Sequence, residues 1–288
     1  MILKTYYPLP KFPPISLSGT TCRLNCRHCN REYLRGMAPA TTPETLTATC
    51  HELAAKGAIG VLLSGGSTRE GGILNMREMA DAVRRVKAET GLIINIHPGL
   101  MSDATIEALG DSVDFVSLEI PSTATVREVF GLDATTDDYI AAYHRMRAAG
   151  MTVVPHISVY DGTEDRLLAP LTASAPLEVI VVIVFTPTRD TPMATEAAPT
   201  PGMVGGAIAR VRAMFPDTEI SLGCMRPRAR ELRTAIELAA LDAGVERMVL
   251  PSRRTLIAAR DRGHEIIRLD ACCALPASQE HLAAHRAT

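Results

Sequence analysis

The sequence predicts an α/β fold, a complete TIM-type (β/α)8 barrel. Three observations predict it. Short apolar segments alternate with helix-period segments about eight times along 288 residues, the pattern of parallel strands returned by crossover helices. The apolar segments, Val179–Phe185 above all, are apolar on both faces, as strands covered by helices must be. Polar side chains gather where those segments end, which is where barrel enzymes keep their active sites.

Taken in order, Ile15–Ser18 is the first strand and leads into a cysteine-rich loop. Thr42-Pro43-Glu44 supplies a cap and a first-turn proline for a helix running to about Gly57. Leu46, Cys50, Leu53 and Ala54 share one face of it, so Cys50 reads as core. The strand Ile59–Leu63 ends in Ser64-Gly65-Gly66-Ser67, and a helix follows from about Asn75 to Glu89. Next come the strand Leu92–Ile96, a helix beginning near Ser102, the strand Val113–Ile120, and a helix over Thr136–Ala149 stopped by Gly150. The strand Thr152–Tyr160, a helix over Glu164–Leu171 and the strand Val179–Phe185 lead to a Pro/Thr-rich loop, Thr186–Pro201. A helix to about Phe215, the strand Glu219–Leu222, a helix over Arg230–Ala243, the strand Arg247–Leu250 and a helix over Thr255–Arg262 complete the pattern. No linker divides it. Residues 1–276 read as one domain with a C-terminal cluster-binding segment, and 277–288, polar and Ala-rich, as a loose tail.

Composition narrows the function classes. Hydrophobic residues make up 47% and the formal net charge is −2. No basic stripe marks a nucleic-acid partner. No apolar run approaches the roughly 20 residues that span a bilayer. The opening MILKTYYPLPKFPP lacks the apolar stretch of a signal peptide. Seven cysteines without an export signal favour reduced thiols and metal sites, and a cytoplasmic location is expected.

The chemistry centres on Cys22, Cys26 and Cys29, spaced C-x3-C-x2-C. Three thiolates on one tight loop can hold three irons of a cubane and leave the fourth open to a ligand. Structural zinc is the alternative. It usually needs paired C-x2-C units or a histidine, and His28, between two ligands on the same loop, would be a strained one. Alternation along the strands puts Asn95 with His97, Ser117 with Glu119, and His156 with Ser158 and Tyr160, each set at a carboxyl end. Ser64, Gly65 and Gly66 let backbone approach a ligand closely. Glu119 reads equally as a ligand contact or as a rim salt bridge with Arg127 or Arg145. Cys224 follows the seventh strand, and Cys272 and Cys273 lie near the C-terminus. A tail folded back over the barrel mouth would bring these three together around a second cluster; otherwise they are buried or lone thiols. Arg226 or Arg228 would offset the charge of such a cluster or simply face solvent.

The CRLNCRHCNREYL segment resembles the radical S-adenosylmethionine (SAM) superfamily. The resemblance implies that a [4Fe-4S] cluster on Cys22, Cys26 and Cys29 binds the amino and carboxylate groups of SAM at its open iron. Reductive cleavage then yields a 5′-deoxyadenosyl radical that abstracts hydrogen from an unactivated carbon. It further implies that Ser64-Gly65-Gly66 contacts the SAM amino group, that the ring of His28 packs on adenine, and that Glu119 meets a SAM hydroxyl or amine. Ser67 stands where the family usually has an acidic residue. With LLSGG, INIHPG, GCMRPR and the late CC pair, the chain is similar to biotin-synthase-related members, and most to one component of the two-protein lipoyl synthases. That implies a second [4Fe-4S] cluster as sulfur donor. The substrate would be an octanoyl chain on a lysine of a carrier domain or peptide. The partners would be a sister radical SAM protein and a ferredoxin- or flavodoxin-like electron donor. Asn95, His97, His156, Tyr160 and Arg226 would face the substrate. A carbon-skeleton mutase and a metallocofactor maturase are the alternatives.

Overall fold

A computed structural model describes residues 1–174 and 176–283. Among them are eleven strands: β1 (Ile2–Tyr6), β2 (Pro14–Ser16), β3 (Ala38–Pro39), β4 (Gly60–Ser64), β5 (Ile93–Ile96), β6 (Phe115–Glu119), β7 (Val153–Val159), β8 (Val179–Val184), β9 (Glu219–Leu222), β10 (Arg247–Val249) and β11 (Glu265–Leu269). The α-helices are α1 (Pro43–Ala55), α2 (Ala80–Thr90), α3 (Asp103–Leu109), α4 (Thr136–Ala148), α5 (Pro201–Met214), α6 (Arg230–Asp242) and α7 (Arg253–Asp261). The fold is α/β with parallel strands.

The chain divides into two compact units. One comprises Leu9–Val153 with Thr188–Pro192. Its strands run in the order β6-β5-β4-β2-β3. Register aligns Pro14, Leu62, Asn95 and Phe115 across β2, β4, β5 and β6, so these four share a face. The helices start where the sequence caps them: Thr42 accepts the Thr45 amide before α1, Ser102 that of Thr105 before α3, and Thr135 that of Asp138 before α4.

The other unit comprises Met1–Pro8, Val154–Pro187 and the chain from Met193 on. Its strands run β11-β1-β10-β9-β8-β7. Register aligns His156, Val181, Ser221, Arg247 and Lys4 across β7, β8, β9, β10 and β1, so one face carries all five. Here the structure corrects the expectations. There are eleven strands where eight were expected, and β1, β3 and β11 are the additions. Glu164–Leu171 is 3₁₀ rather than α, with Pro170 inside it. The segment after Pro276, expected to be loose, is held through Ala283. Glu280 pairs with Lys4 at 2.8 Å and Arg247 at 2.7 Å, and accepts the Tyr6 hydroxyl at 2.5 Å. Residues 284–288 of that tail lie outside the described residues. Nor does the segment cap strand carboxyl ends. It is tied to Glu178 just before β8 and, through Glu280, to Arg247, the first residue of β10.

Candidate active site

The cysteine loop is shaped by its own unit. Ser18 accepts the Gly66 amide at 2.7 Å and donates to the Thr21 carbonyl at 2.7 Å, drawing the turn after β4 onto the loop. A Cβ on Gly66 would fall 2.0 Å from the Thr21 oxygen, so only glycine fits. The Ser67 amide donates to Cys22 Sγ at 3.3 Å. From another direction, the π-helical turn Thr125–Phe130 presents the Val129 carbonyl to the Arg27 amide at 2.8 Å. It also presents the Phe130 carbonyl to Cys26 Sγ at 3.8 Å. Such turns recur at functional sites because they re-aim a few backbone groups.

The three thiols are partly exposed. A hydrogen bond between Cys26 and Cys29 pushes Cys26 well up and holds Cys29 down at about 7. A thiol that ionises near neutrality is ready to ligate. The remaining cysteine of this unit, Cys50, is fully buried on α1, and burial pushes its thiol up to about 12. It cannot be a fourth ligand, as the helical pattern foretold. His28 packs 5.4 Å from the Phe130 ring and 6.0 Å from the Tyr33 ring. Burial lowers its pKa to about 4, so the ring is neutral, and its buried Nδ1 has no hydrogen-bond partner. Contrary to the strained placement expected, a ring nitrogen of His28 lies with the Cys26 and Cys29 sulfurs inside a 4.8 Å group. That spacing suits a single ion; a cubane spreads its ligand sulfurs wider, which brings in Cys22. Three accessible thiols and no fourth cysteine in reach within the unit fit an iron–sulfur cluster with one open iron.

At the strand ends of the same unit, Ser64 donates to the His97 carbonyl at 3.1 Å. Asn95 is fully buried and exchanges hydrogen bonds with Ser117 at 3.1 and 3.2 Å. Burial lowers the His97 pKa. Glu119 is half-buried, and burial alone raises its carboxyl to about 7. The salt bridge considered for it with Arg145 is absent: Arg145 pairs with Asp103 at 2.9 Å. Among the described residues Glu119 pairs with neither Arg127 nor Arg145, and the Tyr139 phenol lies in its field.

In the other unit, His156 Nδ1 lies 3.0 Å from the Val154 carbonyl, and Tyr160, 40% exposed, stands edge-on to Phe185 at 4.9 Å. Cys224 follows β9 and is solvent-accessible yet crowded. Its thiol rises to about 11, first by burial and then through the charge of Cys273. Cys273 is buried and hydrogen-bonded to Cys272, which, ahead of burial, pushes its thiol far up. Arg226 is neither a surface residue nor free to face a substrate. It is 5% exposed, pairs with the fully buried Glu237 at 2.9 Å, and donates to the carbonyls of Gly223, Val249 and Leu250. It ties the turn that carries Cys224 to the end of β10. Sequence reasoning missed Glu237, whose only signal is one acid on the buried face of α6. It also missed Arg247, fully buried, which donates to the Cys273 and Leu275 carbonyls and pairs with Glu280.

Residues 16–167 match the radical SAM superfamily, and the chain belongs to it. Membership implies a [4Fe-4S] cluster and SAM, which the cysteine loop fits. Among curated relatives, "Biotin synthase 2" of Corynebacterium diphtheriae is 26% identical over 224 residues, 72% of this chain and 66% of that protein. The match therefore spans just under two thirds of that relative. Among solved structures, methylornithine synthase PylB superposes with TM-score 0.59 at 21% identity, covering 86% of this chain and 71% of PylB. The [FeFe]-hydrogenase maturase HydG from Carboxydothermus hydrogenoformans superposes with TM-score 0.62 at 14% identity, covering 96% and 70%. These two likenesses concern the fold.

Proposed function

We propose that the chain inserts sulfur at an unactivated C–H of a protein-bound octanoyl chain, as one component of a two-protein lipoyl synthase. The observation that carries the reading is a further set of free thiols: Cys273 is hydrogen-bonded to Cys272 and lies within the charge field of Cys224. Sulfur insertion needs a sulfur source held near the carbon radical. A radical SAM enzyme that only rearranges carbon needs no such group. The similarity to a biotin synthase supports the same class of reaction.

On this reading Cys22, Cys26 and Cys29 hold the first cluster, and Cys224 with Cys272, Cys273 or both holds a second. The first cluster and SAM supply the radical when bound. The chain's own residues bind and orient. The backbone of Ser64, Gly65 and Gly66 meets the SAM amine, His28 packs its neutral ring on adenine, and the unpaired Glu119 accepts from a SAM hydroxyl or ammonium. Asn95 and His97 in one unit, and His156 and Tyr160 in the other, are the residues assigned to the substrate. A complete barrel, a cytoplasmic location, a sister radical SAM protein and a ferredoxin- or flavodoxin-like donor belong to the same proposal.

The test is anaerobic incubation with dithionite, SAM, an octanoyl-lysyl peptide and the sister protein, read by mass spectrometry. Thiolated peptide supports the proposal. Deoxyadenosine without thiolation turns the assignment to a mutase or maturase.

A further inference from the structure

Two consecutive loops at the carboxyl ends of β9 and β10 carry four exposed arginines: Arg228 and Arg230 at the entry to α6, Arg253 and Arg254 in the first turn of α7. The ion pairs of this region go elsewhere, Arg226 and Arg233 to Glu237 and Arg262 to Asp242. None of the four has an ion-pair partner among the described residues.

The two loops form one surface because Glu237 binds both. It accepts the Ser252 amide at 2.7 Å and the Thr255 hydroxyl at 2.7 Å while pairing with Arg226 at 2.9 Å. Thr234 and Ser252 hydroxyls meet at 3.3 Å. Leu250, the first residue of the second loop, is 45% exposed and left-handed at φ 44°. A leucine keeps that conformation only when held, and Arg226 and Arg233 both donate to its carbonyl. Local stability does not explain the arginines. The first turn of α7 holds no acid, and a helix disfavours cations at its amino end.

An exposed apolar side chain with unpaired guanidiniums on the same two loops has the anatomy of a protein interface, where Arg and apolar anchors are enriched. A nucleic-acid footprint would be an extended basic stripe without a leucine at its centre. We infer that this surface docks an acidic protein domain. Resting on the function proposed above, that domain is the one that carries the octanoyl-lysine. Cys224 lies on the same loop as Arg228, so docking here brings the acyl chain to that thiol.

The probe is an octanoylated carrier domain of net negative charge, titrated against the full chain by calorimetry at several salt concentrations. Expected is a Kd that weakens with salt and rises about tenfold or more in R228E/R230E and in R253E/R254E, since charge complementarity governs such encounters. The charge-matched control R77E/R85E, on exposed positions of the other unit, keeps the wild-type Kd. Leu250→Ala weakens binding without changing the salt dependence. No binding by wild type, binding indifferent to both arginine pairs, or equal loss in the control overturns the inference. The two proposals fail separately. Arginine-dependent binding without thiolated product sinks the sulfur-insertion reading alone, and thiolation of the domain with unchanged Kd in the arginine variants sinks the docking surface alone.

Discussion

Gly66 lies so close to Cys22 that a Cβ on the glycine would fall 2.6 Å from the Cα of the cysteine. The obstacle is backbone and cannot swing away. Gly65 differs: its missing Cβ would meet the Ser18 hydroxyl at 3.1 Å, which a small shift relieves. Gly66→Ala should therefore displace the cysteine loop and abolish the cluster's visible absorbance after reconstitution. Gly65→Ala should retain most of it. Equal absorbance in the two variants would remove the steric coupling between the turn and the loop.

Replacing Cys22, Cys26 or Cys29 by Ala should abolish cluster absorbance and 5′-deoxyadenosine formation. Cys50→Ala is the control and should keep both, with a thermal midpoint lowered by the loss of a small buried group. A C26A protein that still cleaves SAM would refute the ligand assignment.

Glu119 titrates at about 7 instead of 4.5 because burial opposes its charge. The folded chain therefore holds this proton more tightly than the unfolded chain. The associated stability is fully present below about 4.5 and is lost as pH rises toward 7. Glu119→Gln should flatten that part of the stability–pH curve, as followed by chemical denaturation. It should also weaken SAM binding about tenfold, the size of one lost charge-assisted hydrogen bond. An unchanged curve would show that the carboxyl is already neutralised by a neighbour.

Cys224→Ala and the double change C272A/C273A should keep SAM cleavage, lose sulfur transfer, and bring iron down to about one cluster per chain. Undiminished iron in Cys224→Ala would dissolve the sulfur-donor reading.

Glu237 is fully buried. Burial pulls its pKa up, but the Ser252 amide, Arg226, Thr255 and Arg233 more than offset this and leave it below the usual value. Its contribution to stability is thus present above the usual carboxylate range and lost as pH falls through the lowered value. Glu237→Gln leaves the Arg226 guanidinium buried without its counter-charge and should cost about 3–5 kcal/mol in equilibrium unfolding. A loss below ~1 kcal/mol would mean that the pair is not charged in the folded chain.

Much of the fold was legible because apolar periodicity is a local signal. The span Glu219–Leu222 agrees to the residue, Thr42 caps as read, and a helix begins just after Ser102 as read. The cysteine loop was legible for the same reason, since all three ligands lie within eight residues of sequence. What escaped is non-local. β1 has a lysine at its centre, which makes no sense as a buried strand until Glu219 and Glu280 arrive beside it at 2.6 and 2.8 Å. The tail looked polar for the same reason: Glu280 is a surface residue by type and a partly buried partner of Arg247 by position. Arg226 was misjudged because the acid that neutralises it lies on the following helix, eleven positions away. Glu119 was left undecided between ligand and salt bridge, and only the commitment of Arg145 to Asp103 distinguishes the two.

The placement of β1 has a consequence for synthesis on the ribosome. This strand precedes the other ten in the chain, yet both neighbours that it pairs with, β10 and β11, emerge after nearly everything else described. Residues 9–153 can meanwhile complete most of their own unit, because its contacts are nearly contiguous in sequence. The nascent β1 therefore waits with both hydrogen-bonding edges bare, the state in which strands recruit the wrong partner. Lys4, which ends up in the ion-pair network, guards it during the wait: a charge in mid-strand discourages pairing with anything that does not bring its own carboxylates.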